Sequence, residues 1–233
     1  MAVLRRLVFV ALCAGLLSGA FATVAHQIGT VPLILQAETY EKPSESAIAS
    51  AREHASAWEP ENGTERMAYT LLADILIGVG FALLLGAGLT LRGGELGWRQ
   101  GLLWGLAGFA TFAVAPSLGL PPQLPGSEVA PLFDRQLWWL GTAVATGCAL
   151  ALIAFATRAR WTILAAILFV LPHLYGAPEP PEHIAVVPAA LTHHFIVAAT
   201  VVNFLFWLML GASTGFFHER LQPRLDSPAR AAA

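Results

Sequence analysis

The run MAYTLLADILIGVGFALLLGAGLTL, residues 67–91, is apolar from end to end except for Asp74 and two threonines. A helix of that length, rising 1.5 Å per residue, covers the roughly 30 Å hydrocarbon layer of a bilayer. A helix apolar on all sides belongs in a large core or in lipid. The rest of the chain decides for lipid. Only 12% of its 233 residues are charged, against about 25% in soluble domains, and the mean hydropathy is +0.64. Five further apolar runs lie outward of this one, at about 7–27, 100–118, 136–157, 161–176 and 193–217. Lipid offers the backbone no hydrogen-bond partners, so each is expected to be helical. The expected fold is all-α: a polytopic membrane helix bundle of about six transmembrane helices, forming one integral-membrane domain over residues 1–233. The fifth run is the shortest and ends at Pro172.

Basic residues in the short loops set the orientation. Arg5, Arg6, Arg92, Arg99, Arg158, Arg160, Arg220, Arg224 and Arg230 fall on one side, and Lys42, Arg52, Arg66 and Arg135 on the other. This asymmetry predicts that both termini are cytoplasmic. It makes residues 36–66 an acidic outer loop, 119–135 a proline-rich outer loop, 177–192 a third outer loop with His and Pro, and 218–233 a cytoplasmic tail. The start, Arg5-Arg6 followed by LVFVALCAGLLSGAFATVA, is also compatible with a cleaved signal peptide ending near residue 25. Its length favours a retained span. Cys13 and Cys148 both sit inside apolar runs, which implies neither a disulfide framework nor a cysteine metal site.

The outer side collects acids and imidazoles. Glu38, Glu41, Glu45, Glu53, Glu59, Glu61 and Glu65 crowd the first outer loop, where their field raises the local concentration of cations. His26, His54, His173, His183, His193 and His194 lie on or just inside the same face. Neutral imidazole and carboxylate are the ligands of divalent transition metals. No HxxxH or HExxH spacing is present, so a site would be assembled from separate segments. Inside the bilayer, polar residues recur at helical spacing: Gly15, Gly19, Thr23, His26 and Gln27; Thr70, Asp74 and Gly78; His193, Thr200, Asn203 and Trp207. These stripes are expected to face inward. Gly15 and Gly19 also read as a small-residue helix contact, and Thr200 and Asn203 as interhelical hydrogen-bond partners. Asp74 stands apart, because an ionisable group in hydrocarbon is costly and marks a substrate or proton path.

Four blocks resemble a known family: AHQIGTVPLILQAETYE (25–41), EHASAWEPENGTERMAYTLLADILIGVGFALLL (53–85), APSLGLPPQLPGSEVAPLFDRQLWWLGTAVATG (115–147) and PEHIAVVPAALTHHF (181–195). In order and spacing they are similar to the CbtA family of predicted bacterial cobalt transporter subunits. The resemblance implies cobalt uptake linked to cobalamin synthesis, a bacterial inner-membrane location, and a small single-span CbtB-type partner with a histidine-rich metal-binding segment. On this reading the ion is cargo, with no organic cofactor, no nucleic acid and no enzymatic reaction. His26, His54, Asp74, His173, His183, His193 and His194 are the metal candidates, and Thr23, Gln27, Thr70 and Asn203 the path between them. The alternative is a non-transporting scaffold or assembly partner of a small metal-binding protein. No GxxxxGK[ST] motif occurs, so an ATP-driven step would belong to another subunit.

Overall fold

The computed structural model describes residues 2–40, 60–61, 63–93, 97–156, 158–180 and 187–221, and every regular element among them is helical. In chain order these are α1 (Ala2–Gly29), α2 (Val31–Glu38), α3 (Thr64–Arg92), α4 (Trp98–Phe109), α5 (Leu132–Phe155), α6 (Ala159–Tyr175) and α7 (Ala189–Leu221). A π-helical turn, Ala110–Val114, and a last helical turn, Ala115–Ser117, extend α4. Each of the six predicted runs is covered by a helix. Four of them, α1, α3, α5 and α7, are long and apolar enough to cross a membrane on that basis alone. The other two differ for local reasons. Pro116 has no amide to give the Phe112 carbonyl one turn back, and the helix opens to π geometry just before it. The α6 helix has 17 residues and carries Pro172 in its last turn.

Helix also enters segments expected as loops. Pro32 sits in the first turn of α2, where its missing amide costs nothing, so the chain bends after Gly29 and stays helical to Glu38. Similarly α7 begins at Ala189, inside the expected third outer loop, and ends at Leu221, inside the expected tail. Glu38, at the end of α2, and Arg66, in the first turn of α3, form an ion pair of 2.9 Å that joins these two helix ends. Being half-exposed, it contributes about 0–1 kcal/mol.

Glycines determine which helices meet. A Cβ at Gly15 would strike Val79, and one at Gly19 would lie 2.5 Å from the Ile75 Cα. As the α1 number rises the α3 number falls, so the pair is antiparallel. In the same manner Gly101 and Gly105 of α4 lie against Gly211 and Gly215 of α7, backbone to backbone. Lipid supplies no hydrophobic force between helices, and such close approach is what holds them. The resulting unit runs α3, α1, α7, α4, with α1 and α7 in the middle. Its core holds Ala11, Ala14, Ala82, Leu85, Phe206, Trp207 and Leu210. The α5–α6 hairpin packs mainly on itself and joins this unit through the π turn and Ala115–Ser117. At the α2 end of the unit, Leu124 of the proline-rich segment packs with Ala37, Val187, Leu191 and Phe195.

Candidate cation site

Asp74 and Thr23 come together. The close α1–α3 contact at Gly19 brings the Thr23 Oγ1 within 2.8 Å of the Asp74 Oδ2, and the hydroxyl donates to the carboxylate. The same hydroxyl lies 3.0 Å from the Gly19 carbonyl, so one proton serves two acceptors. Thr23 is buried and Asp74 half-buried. Asp74 sits seven residues before Phe81, which is two turns and about 10 Å along the same face of α3. Phe81 meets Trp207 and Phe112, with ring centroids 4.7 and 4.9 Å away, and the Phe112 and Trp207 rings are parallel within 3°. This aromatic trio closes the middle of the unit, and Asp74 lies on the side of it that faces the α1–α2 bend.

His26 is one turn beyond Thr23 on α1. Its Nδ1 is 2.9 Å from the Thr30 Oγ1, and that hydroxyl in turn reaches the His26 carbonyl at 3.3 Å. Thr30 is 1% exposed, so the relay is fixed on its inner side. In the tautomer whose Nδ1–H donates to Thr30, Nε2 carries the lone pair. This is how metal-ligating histidines are oriented: one nitrogen is anchored by a hydrogen bond and the other is free to bind.

The remaining candidates are spread out. His173 is half-buried, with its ring edge-on to Trp138 at 5.9 Å. His193 and His194 are both exposed, with ring centroids 6.4 Å apart. His54 and His183 fall outside the described residues. Gln27 and Thr70 are half-buried, and Thr70 donates to the Arg66 carbonyl at 2.9 Å. On α7 the expected inward stripe is only partly enclosed: Trp207 is 2% exposed, whereas His193, Thr200 and Asn203 are exposed. Asn203 nevertheless precedes Trp207 by one turn on the same face, so it too lies beyond the aromatic closure. Among the described residues no three His, Cys, Asp or Glu side chains stand close enough to hold an ion together. An ion held by these described side chains would therefore meet one or two of them at a time and keep part of its water.

One residue escaped the sequence reading. His218, expected in the tail, is the last buried position of α7 at 1% exposure, with Nδ1 unpartnered, and Thr214 one turn earlier is fully buried with its hydroxyl also unpartnered. Asn203, Trp207, Thr214 and His218 follow one another at intervals of four, seven and four residues, a single face of α7. That spacing was the available signal. It continues the polar face past the aromatic trio towards the C-terminal end of α7.

The apolar helices, their glycine-mediated contacts and the polar face they enclose define a multi-pass membrane protein. The family model for the probable cobalt transporter subunit, CbtA, matches residues 4–219, and the chain belongs to that family. Comparison with curated proteins and with solved structures gives no match.

Proposed function

We propose that this chain is the membrane-embedded subunit of a divalent transition-metal uptake system with cobalt as cargo, located in a bacterial inner membrane with both termini cytoplasmic. The observation that supports the reading is Asp74, a carboxylate within the apolar α3 that accepts a hydrogen bond from Thr23 two turns from the Phe81–Phe112–Trp207 closure; on the proposed topology it stands on the outer side. Outer His and Glu groups collect the hydrated ion; His26, through Nε2, and Asp74, through its second oxygen, replace some of its waters. Weak, sequential ligation lets the ion leave again, as conduction requires. Imidazole and carboxylate suit both cobalt and nickel, and affinity alone favours nickel. A membrane potential of about 100 mV drives a divalent cation inward by roughly 4.6 kcal/mol, twice the single-charge value. The partner is a small single-span CbtB-type subunit. The chain acts as a carrier, with no catalytic role.

Metal accumulation in cells expressing this chain, with and without that partner, tests the proposal. Accumulation above background with both present is expected. None, with both proteins inserted, favours a scaffold.

Two narrower results follow. His26→Ala should lower uptake several-fold, whereas His54→Ala, in the segment expected from the sequence to be an outer loop, should lower it less than twofold. Equal, normal uptake by both at matched expression removes histidines from the path. For orientation, single cysteines at Ser46 and Ser227 are treated with an impermeant thiol reagent on intact cells. Labelling at Ser46 alone is expected, and labelling at Ser227 reverses the topology.

A further inference from the structure

On the arginine-rich side the α5–α6 hairpin diverges from the four-helix unit, because its contacts with that unit are made mainly through the π turn and the turn after it. The divergence leaves a cavity of about 340 Å3 between α3, α4 and α5. Its walls are leucine, alanine, glycine and aromatic side chains, and its two polar lining residues are Thr111, buried beside Gly147 at the deep end, and the exposed Arg92 at the mouth. Apolar walls of this kind do not retain water. Leu84, Leu103 and Ala151 on the lining are exposed, so the slot opens sideways towards lipid. From Gly147 to Phe155 the slot runs eight residues along α5, about 12 Å. One leaflet's hydrocarbon is about 15 Å thick. The slot therefore has the depth of one acyl chain, with its cation at headgroup level.

Charge selects the headgroup. Beside Arg92, Arg99 lies one turn before Leu103, and Arg158 and Arg160 follow the end of α5; all four are exposed, and none forms an ion pair among the described residues. We propose that this slot binds a single anionic phospholipid, with one acyl chain between α3, α4 and α5 and its phosphate on Arg92. The lipid supplies the packing that α5 does not find on its neighbours and ties the hairpin to the transport unit. The proposal is independent of what the protein carries.

The test uses the full chain in nanodiscs containing phosphatidylglycerol brominated near the end of its acyl chains. Trp104 lines the slot, so its fluorescence, taken as the difference between wild type and Trp104→Phe, reports chain entry. Quenching of that component is expected, together with about one tightly retained lipid per chain by native mass spectrometry. At Gly147 a Cβ meets Thr111 only at an ordinary 3.6 Å, so Gly147→Leu fills the slot without striking backbone. It should abolish both signals, as should Ala151→Trp, one turn further along the same helix face. Arg92→Gln should keep the chain but lower the preference for anionic over zwitterionic lipid about fivefold, the effect of one basic residue near an anionic surface. Quenching and lipid retention equal in wild type and both filled variants would mean ordinary boundary lipid and overturn the proposal. So would a photocrosslink from Ala151 to a second polypeptide in place of lipid.

Discussion

Asp74→Asn should reduce metal uptake about tenfold or more at matched membrane expression, because it removes a charge that attracts a divalent ion several times more strongly at membrane depth than in water. The substitution is close to isosteric, and the amide oxygen still accepts the hydrogen bond that Thr23 now gives the carboxylate at 2.8 Å. The α1–α3 contact itself rests on Gly15 and Gly19 and does not need the charge. Insertion, thermal stability and partner binding should therefore persist. Asp74→Glu should retain part of the uptake, since charge remains while its position shifts. Thr23→Val separates the two roles further: it deletes the tie and leaves the carboxylate, and it should cost uptake much less than the Asn change. Full uptake by Asp74→Asn would return the residue to a purely structural hydrogen-bond acceptor. Comparable losses in Thr23→Val and Asp74→Asn would assign the effect to helix positioning.

The sequence made the helices legible because lipid leaves the backbone no alternative, and the spans at α1, α3, α5 and α7 emerge where apolar runs are long. It was less informative where proline acts locally, as at the π turn before Pro116 and the bend at Pro32. For the site, helical spacing gave directions of side chains but no neighbours. Thr23 and Asp74 were each placed on an inward stripe, yet the bond between them spans 51 positions and depends on the glycine contact one turn away. The His26–Thr30 relay, at four residues, was within reach of spacing alone and went unread because hydroxyls near helix ends are common. Counting histidines by membrane side grouped His193 and His194 with His26, although both are exposed and only His26 has an anchored ring nitrogen. The same count set His218 aside, and there burial, which no sequence pattern prints, is what distinguishes it.

Gly101→Leu and Gly211→Leu should each prevent assembly of the four-helix unit. A Cβ at Gly101 would fall on the Gly211 carbonyl oxygen and 2.9 Å from the Gly215 Cα, and one at Gly211 would fall 2.8 Å from the Gly105 Cα. Overpacking a core against side chains costs about 1–3 kcal/mol. Here the obstacles are two backbones, which cannot rotate away, so the helices must separate and lose the dispersion contact that joins them in lipid. Loss of a monodisperse, detergent-solubilised peak, or a melting temperature lowered by 10 °C or more (about 2–4 °C per kcal/mol lost for a chain of this size), is expected for both variants. Gly80→Leu and Gly141→Leu serve as controls, because a Cβ at either position meets nothing within 4 Å. Wild-type stability in Gly101→Leu would show that α4 and α7 do not rely on this contact. A gentler variant connects packing to transport. At Gly108 a Cβ would strike the Trp207 ring, so Gly108→Ala displaces the aromatic closure by moving a side chain and leaves the glycine seam intact. It should fold with only modest loss of stability while altering uptake, since the ring it moves is the one that stacks on Phe112 and seals the face below Asp74.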